Sequence, residues 1–340
     1  MFDQLDIFDP ANTVDSPQLD MSSFDHIVLF FSGGKDSIAC FLKLLDWGVP
    51  REKIELHHHN VDGAPGSPSY MDYPVTEDYV RKFAATFGVK CFFSWKEGGF
   101  RREMYRENAL TAPTGFEEED GTVKQVGGVR GKLNTRRKFP QVSPDLRVRW
   151  CSSALKIDVG RAVLNNSERF KGARTCVITG ERAEESPNRA KYKEIEIHHS
   201  DKRDNKRLQR HVVSYRSVHK LTETEIWEII ERYRVHAHPC YYAGFSRGSC
   251  AYCIFGNPDQ MATARFLLPE QFGKIASDEK DFGCTMKRET DIVSFCDKGT
   301  VHPAAAEYKE MIQSHVYTGP IIMDVWKMPA GAFGEGCGPS

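Results

Sequence analysis

The chain has 340 residues, of which 40% are hydrophobic and 27% are charged, so it can bury a full core. Its 46 Lys and Arg against 47 Asp and Glu neither require nor exclude a nucleic-acid partner. No apolar run is long enough to span a membrane, and the acidic start MFDQLDIFDPANTVDSPQLD lacks the regions of a signal peptide. We therefore expect a cytoplasmic protein with no membrane partner. Its ten cysteines then favour metal or redox chemistry over a disulfide scaffold.

Apolar periodicity predicts alternating strands and helices. The run HIVLFF at 26–31 is typical of a strand buried on both faces, and Ile38, Phe41 and Leu45 then recur at helical spacing until Gly48. Further strands are predicted at KIELHHHNV, VKCFFS, RTCVITG and HVVSYRSV, and a second helix at VTEDYVRKFAATFG. This alternation predicts an α/β fold with a doubly wound parallel sheet.

Composition divides the chain into four predicted parts. We expect a flexible N-terminal segment at 1–23 and a nucleotide-binding α/β domain at 24–235, with an insertion at about 98–149. A Cys-rich, mainly helical C-terminal region is predicted at 236–316, followed by a tail rich in Gly and Pro at 317–340.

The hexapeptide SGGKDS at Ser32–Ser37 follows the first predicted strand, where ligands bind in open parallel sheets. Gly33 and Gly34 let backbone amides approach an anion, and Ser37 opens a helix whose unpaired N–H groups favour negative charge. Lys35 adds a mobile cation. The stretch is shorter than a Walker A loop, but its chemistry also suits phosphate.

The hexapeptide resembles the pyrophosphate loop, or PP-loop, of the ATP pyrophosphatase (adenine nucleotide alpha-hydrolase) superfamily. TGERAEESPNRA at 179–190 resembles the second phosphate-side motif of that superfamily's phosphoadenosine phosphosulfate reductase-like branch. RWCSSALKIDVGRA and HKLTETEIWEIIERYRVHAHPCYYAGFSRGSCAYC resemble two more motifs of the branch. The resemblance covers roughly residues 26–255, except near 100–140, and implies an adenine nucleotide alpha-hydrolase-like, Rossmann-like fold.

Members of this superfamily usually cleave ATP between the alpha and beta phosphates, leaving an adenylated substrate and pyrophosphate. Lys35, Asp36 and Arg182 are the candidate catalytic residues. Lys35 would hold the leaving phosphates, Asp36 would hold Mg²⁺, and Arg182 would offset the charge that develops on pyrophosphate. The nucleotide contacts implied are Ser32, Gly33, Gly34, Lys35, Asp36, Ser37, Asp62, Gly180, Arg182, Ser186 and Arg189.

Four cysteines form a candidate metal site. Cys250 and Cys253 make a CxxC pair, Cys240 precedes them by ten residues, and Cys151 lies in RWCSS. Four thiolates suit either a [4Fe-4S] cluster or structural Zn²⁺. Adenylyl sulfate reductases and the DNA phosphorothioation sulfurtransferase of the Dnd system, which this chain resembles, carry iron-sulfur clusters with a CxxC in this region. The fourth ligand stays open between Cys151 and Cys284.

Three functions remain open at this point. The first is adenylation of an acceptor for sulfur transfer in nucleic-acid modification, such as DNA phosphorothioation, with a cysteine desulfurase or another protein as sulfur donor. The second is reduction of adenylyl or phosphoadenylyl sulfate to sulfite, and the third is a non-catalytic nucleotide-binding role in a defence system. The intact SGGKDS loop favours the first, because reductases usually degrade it. The basic stretches RGKLNTRRKF and RVRW favour a polynucleotide partner. Cys337 loosely resembles the terminal cysteine of sulfonucleotide reductases.

Overall fold

The computed structural model describes residues 17–334. This part of the chain contains one eight-stranded sheet. Its strands are β1 (His26–Phe30), β2 (Ile54–Asn60), β3 (Lys90–Lys96), β4 (Thr114–Glu117), β5 (Val123–Val126), β6 (Arg174–Ile178), β7 (Ile195–Ile197) and β8 (His211–Tyr215). Cys337 lies outside the described residues.

The sheet has the strand order β5-β4-β3-β2-β1-β6-β8-β7. Strands β3, β2, β1, β6 and β8 are mutually parallel, whereas β4 and β5 at one edge and β7 at the other are antiparallel to their neighbours. The prediction of an α/β, Rossmann-like fold is therefore confirmed. The antiparallel edge strands are an addition that the sequence analysis did not predict.

The helices of the described residues lie around this sheet. They are α1 (Lys35–Asp46), α2 (Thr76–Phe87), α3 (Gly99–Met104), α4 (Trp150–Ser152), α5 (Asp158–Asn166), α6 (Glu223–Arg232), α7 (Pro239–Tyr242), α8 (Pro258–Leu267), α9 (Pro269–Phe282), α10 (Ile292–Cys296) and α11 (Ala305–Gln313). A π-turn at Ser153–Ile157 joins α4 to α5. Within residues 17–334, no helix has both the length and the apolar character needed to cross a membrane.

Local sequence explains where the main helices begin and end. Helix α2 ends at Gly88, which has a φ of 66°, a left-handed conformation that glycine adopts without steric strain. Helix α6 begins with a capping box in which the Thr222 and Glu225 side chains each accept an N–H of the other residue. Helix α1 begins directly after the loop that ends β1, so its first turn faces the end of the sheet.

Apolar side chains are buried on both faces of the sheet. Ile27 and Leu29 of β1 belong to a large core that includes helices α1, α2 and α6, whereas Val28 points to a smaller core with Val163 of α5. This alternation follows from the two-residue period of a strand. Helices therefore cover both faces, as a doubly wound fold requires.

The regions outside the central sheet pack onto it. The stretch 98–149, predicted as an insertion, contributes α3 and the edge strands β4 and β5. The Cys-rich region joins the large core through Tyr241, whose ring contacts that of Trp227 in α6. Tyr317 packs edge-on against Tyr79 of α2. These contacts hold the cysteine-bearing residues beside the carboxyl ends of the parallel strands.

Candidate functional site

A cavity of about 1110 Å³ lies at the carboxyl ends of the central strands. Most of the predicted site residues line it: Ser32, Gly33, Lys35, Asp36, Ser37, Cys151, Gly180, Arg182, Arg189, Cys250 and Cys253. Gly34, Asp62, Ser186 and Cys240 are not among its lining residues. The fold thus brings the predicted phosphate-binding and cysteine motifs to one cavity.

The phosphate loop, residues 32–37, turns sharply from β1 into α1. Gly33 has a φ of 78°, which a residue with a side chain rarely adopts. Ser32 Oγ accepts the N–H of Gly34 at 3.2 Å, and Ser37 Oγ donates to the carbonyl oxygen of Gly34 at 2.8 Å. The loop is therefore internally fixed, with the first turn of α1 directed into the cavity.

Lys35 is buried and has several partners within the protein. Its Nζ lies 3.2 Å from Glu223 Oε1 and donates to the carbonyl oxygen of Ser246, also at 3.2 Å. Its backbone N–H donates to the hydroxyl of Tyr241 at 2.8 Å, and this hydroxyl accepts the N–H of Gly248 at 2.7 Å. The phosphate loop is thereby tied to residues 246–248, which precede the CxxC pair.

Asp36 and Arg182 join the two phosphate-side motifs. Arg182 Nε donates to Asp36 Oδ1 at 2.6 Å, and Nη1 donates to Glu184 Oε2 at 2.5 Å. Burial would raise the pKa of Asp36, but the charges of Lys35 and Arg182 outweigh it and hold this pKa below its usual value. Asp36 is therefore ionised at neutral pH, as a ligand of Mg²⁺ must be.

Glu185 contacts two further arginines that line the cavity. Its carboxylate accepts a hydrogen bond from Arg189 Nη1 and lies 3.9 Å from Arg247 Nη2. Together with Glu223 and Glu184, it places carboxylates against the cations that would bind phosphate. The sequence analysis did not identify this role for the three glutamates, because charged residues beside a loop are usually solvated.

Cys151, Cys250 and Cys253 line the part of the cavity that we call the cysteine end. Lys156 lies beside them, and the negative charge that Cys250 would carry as a thiolate is the largest influence that raises the pKa of this lysine. The sequence analysis missed Lys156, although it follows Cys151 by five residues in RWCSSALK. Its side chain contacts the interior of the cavity and so remains accessible to small solutes.

The sequence analysis leaves the fourth ligand of the candidate metal site open between Cys151 and Cys284. Cys151 lines the cavity with Cys250 and Cys253, whereas Cys284 lies near the carbonyl oxygen of Arg137, away from the lining residues. Cys240 is fully buried and is not among the lining residues. The structure thus groups Cys151, and not Cys284, with the CxxC pair.

The donor chemistry of these cysteines fits a metal cluster, since three thiols share one cavity. Within residues 17–334, however, no three His, Cys, Asp or Glu side chains are grouped closely enough to hold a metal ion. Burial raises the pKa of Cys151 to about 11, so without a bound cation its thiol stays protonated at neutral pH. Metal binding would require these thiols to lose their protons and to move closer together.

Asp62 and Ser186 organise loops beside the cavity. The Asp62 carboxylate accepts the backbone N–H groups of Tyr70, Met71 and Asp72 at 2.9 to 3.1 Å. Ser186 Oγ accepts the N–H of Arg189 at 3.2 Å. Both side chains therefore fix the backbone of the residues that form the cavity wall.

Three of the seven Lys and Arg side chains in the two basic stretches are ion-paired. Arg136 binds the buried Glu103, and Arg147 binds Asp145. Arg137 lies between Glu107 and Asp281. These pairs reduce the positive charge that the sequence suggested was available to a polynucleotide.

The comparisons with known proteins agree with this geometry. Residues 130–255 match the family described as the phosphoadenosine phosphosulfate reductase domain. This segment is therefore similar to a phosphoadenosine phosphosulfate reductase domain. It contains the second phosphate-side motif and all four candidate cysteines, whereas the phosphate loop lies N-terminal to it.

A relative was also found among viral proteins. The chain is 24% identical over 265 residues to an uncharacterized 37.8 kDa protein in the gpa 5' region of Escherichia phage 186, with 74% of each chain covered. Residues of the matched segment and residues of the phosphate loop line the same cavity.

Proposed function

We propose that the protein is an ATP pyrophosphatase-type enzyme that adenylates an acceptor for sulfur transfer in nucleic-acid modification, such as DNA phosphorothioation. The observation that carries this proposal is the intact SGGKDS loop at the N-terminus of α1, which faces a cavity shared with three cysteines. A cavity of about 1110 Å³ has room for ATP and for part of a second substrate.

The phosphate end of the cavity would bind the beta and gamma phosphates of ATP. The N–H groups of the first turn of α1 and the ammonium of Lys35 supply positive charge there. Lys35 Nζ would exchange Glu223 and the Ser246 carbonyl for phosphate oxygens, which bind an ammonium more strongly. This placement leaves the alpha phosphorus open to an acceptor oxygen on the cavity side.

Asp36 and Arg182 would act on the departing pyrophosphate. Asp36 is held ionised and supplies a hard oxygen ligand for Mg²⁺. Arg182 is already positioned by its bond to Asp36, so its guanidinium needs little reorganisation to offset the developing negative charge. Loss of pyrophosphate would leave AMP attached to the acceptor oxygen.

The cysteine end of the cavity would take part in the sulfur transfer. We propose that Cys151, Cys240, Cys250 and Cys253 hold a [4Fe-4S] cluster, with Zn²⁺ as the alternative occupant. When bound, a cluster would supply a redox-active, sulfur-binding centre at that end of the cavity. Lys156 would neutralise negative charge carried by thiolate or sulfide. A cysteine desulfurase or another sulfur donor would supply the sulfur.

The reductase alternative is supported by the match of residues 130–255 to the reductase domain. It makes no use of a loop for the beta and gamma phosphates, because adenylyl sulfate has neither group. A nucleotide-binding component of a defence system would bind ATP without converting it. Both alternatives therefore predict no AMP formation from ATP.

The test is product analysis with ATP labelled at the alpha phosphate, Mg²⁺, nucleic acid and a sulfur donor. We expect AMP and pyrophosphate. Lys35→Ala should slow their formation by roughly thirtyfold to a thousandfold. Lys43→Met serves as the control, since Lys43 lies in the last turn of α1 over the ring of Trp47. Formation of ADP, or sulfite release from adenylyl sulfate without ATP, would contradict the proposal.

A further inference from the structure

Arg149 differs from the other arginines that line the cavity. Each of the others faces a carboxylate: Arg182 faces Asp36, Arg189 and Arg247 face Glu185, and Arg216 faces Glu181 and Glu196. Within residues 17–334, the guanidinium of Arg149 has no hydrogen-bond or ion-pair partner, and its buried Nε is unpaired. An anion that reaches the terminal N–H groups of this guanidinium from the cavity would supply the partner that it lacks within the protein.

The position of Arg149 is fixed by an aromatic ring. Its Cζ lies 5.7 Å from the centre of the Phe255 ring, within the range of a cation–π contact. Arg149 precedes Cys151 by two residues, and Phe255 follows Cys253 by two. The contact therefore places the positive charge of Arg149 at the cysteine end of the cavity.

We propose that Arg149 binds a phosphodiester of the polynucleotide acceptor beside the cysteines. This inference rests on the proposed function, in which the acceptor must reach both the alpha phosphorus and the sulfur end. A guanidinium matches two phosphate oxygens with parallel N–H groups, which a lysine does not reproduce.

The wall beside Arg149 also suits a nucleotide chain. Leu146 and Ile157 line the cavity and leave 37% and 42% of their surfaces exposed. Exposed apolar side chains that line the same cavity as an unpaired arginine offer contact to a sugar or a base and to its phosphate together. Each nucleotide of a nucleic acid carries both a phosphate and a sugar or base surface.

The test is fluorescence anisotropy with the purified full-length protein and a fluorescein-labelled single-stranded oligonucleotide, over a series of salt concentrations. We expect Arg149→Ala to raise the dissociation constant about tenfold and to lower the salt slope by about 0.7, the loss of one phosphate contact. Arg149→Lys should keep the salt slope and recover only part of the affinity.

The matched control is Arg147→Ala, since Arg147 is 91% exposed and is paired with Asp145. We expect its oligonucleotide affinity to stay within about twofold of wild type. The proposal is overturned if wild type does not bind the oligonucleotide, or if Arg149→Ala binds it as wild type does. It is also overturned if Arg149→Ala weakens binding of adenylyl sulfate and leaves oligonucleotide binding unchanged.

Release of AMP from ATP, measured on the same preparations, separates this inference from the proposed function. Oligonucleotide binding that depends on Arg149 without AMP formation would refute the function and support the binding site. If AMP forms but Arg149→Ala binds the oligonucleotide as wild type does, the proposed function is supported and the binding site at Arg149 is refuted. Circular dichroism of each variant verifies that the fold is retained.

Discussion

Arg182 and Asp36 form a 2.6 Å bond that links the loop after β6 to the start of α1. The Arg182 side chain is 5% exposed, and that of Asp36 is 24% exposed. Because the loops that end neighbouring strands share this bond, it fixes the distance between the two predicted phosphate-side motifs.

Removal of Arg182 should therefore destabilise the protein. Arg182→Gln leaves Asp36 with Lys35, at 3.9 Å, and Arg247 as its remaining cationic neighbours. We expect the free energy of unfolding in urea to fall by about 2 to 4 kcal/mol. The double variant Arg182→Gln/Asp36→Asn should recover part of this loss, because Asp36 then no longer carries a negative charge that has lost its arginine. A single variant within about 0.5 kcal/mol of wild type would contradict the expectation.

Tyr241 connects the phosphate loop to the residues before the CxxC pair. Tyr241→Phe leaves the N–H groups of Lys35 and Gly248 without their acceptor. We expect a loss of about 2 kcal/mol in stability and a higher KM for ATP, because the loop is less well fixed. Tyr242→Phe is the control, since the Tyr242 hydroxyl bonds to Met323 Sδ, at 3.8 Å, and to the backbone of Ala237 rather than to the phosphate loop. Equal effects of the two substitutions on the KM for ATP would refute this role of Tyr241.

Gly248 lies where an added methyl group does not fit. A Cβ there would lie 2.6 Å from Gly34 Cα and 2.7 Å from the Tyr241 hydroxyl. We expect Gly248→Ala to displace the phosphate loop, lower the melting temperature and weaken ATP binding. Gly273→Ala is the control, because a Cβ at this position in α9 meets nothing within 4 Å. That substitution should stabilise the helix by up to about 1 kcal/mol. Normal ATP binding by Gly248→Ala would show that the loop is not constrained here.

Buried histidines should make the fold sensitive to acid. Burial lowers the pKa of His58 and of His236 from 6.5 to about 4, and that of His198 to about 3. Because the unfolded chain binds these protons more tightly, stability is complete above pH 6.5 and is lost as the pH falls towards the folded-state pKa values.

Each of these histidines should reduce stability by up to about 2 kcal/mol between pH 6.5 and about pH 5. Melting temperatures measured across this range should fall by several degrees. His236→Gln should make the fall shallower, because one titrating group is removed. A melting temperature that is constant from pH 7 to about pH 5 would rule out this source of acid sensitivity.

The sequence predicts the central fold well because its signals are local. The apolar run at 26–31, the helical spacing up to Gly48 and the capping box at Thr222 each act within a few residues. The edge strands β4 and β5 carry only four residues each, and β5 alternates between exposed and half-buried positions. Such short strands have no apolar run, so their pairing depends on the sheet that is already formed.

The candidate site can be predicted only in part from the sequence, because only some of its features are local. The motifs identified Lys35, Arg182 and the CxxC pair, since each carries its own spacing. The contact of Lys35 with Glu223 joins residues that are far apart in the chain, so no local sequence pattern predicts it. The free guanidinium of Arg149 could be recognised only once the carboxylates around the other arginines were located.

The π-turn at Ser153–Ile157 has a consequence for how the cysteine and lysine motifs can vary between relatives. In a regular α-helix, residues five apart are rotated by about 140° about the axis, so Cys151 and Lys156 would point in different directions. The wider turn takes up one additional residue and keeps both in the cavity. A relative that lacks this residue is therefore expected to form an uninterrupted helix with its lysine four positions after the cysteine. Spacings of four and five residues would then be structurally equivalent versions of one motif.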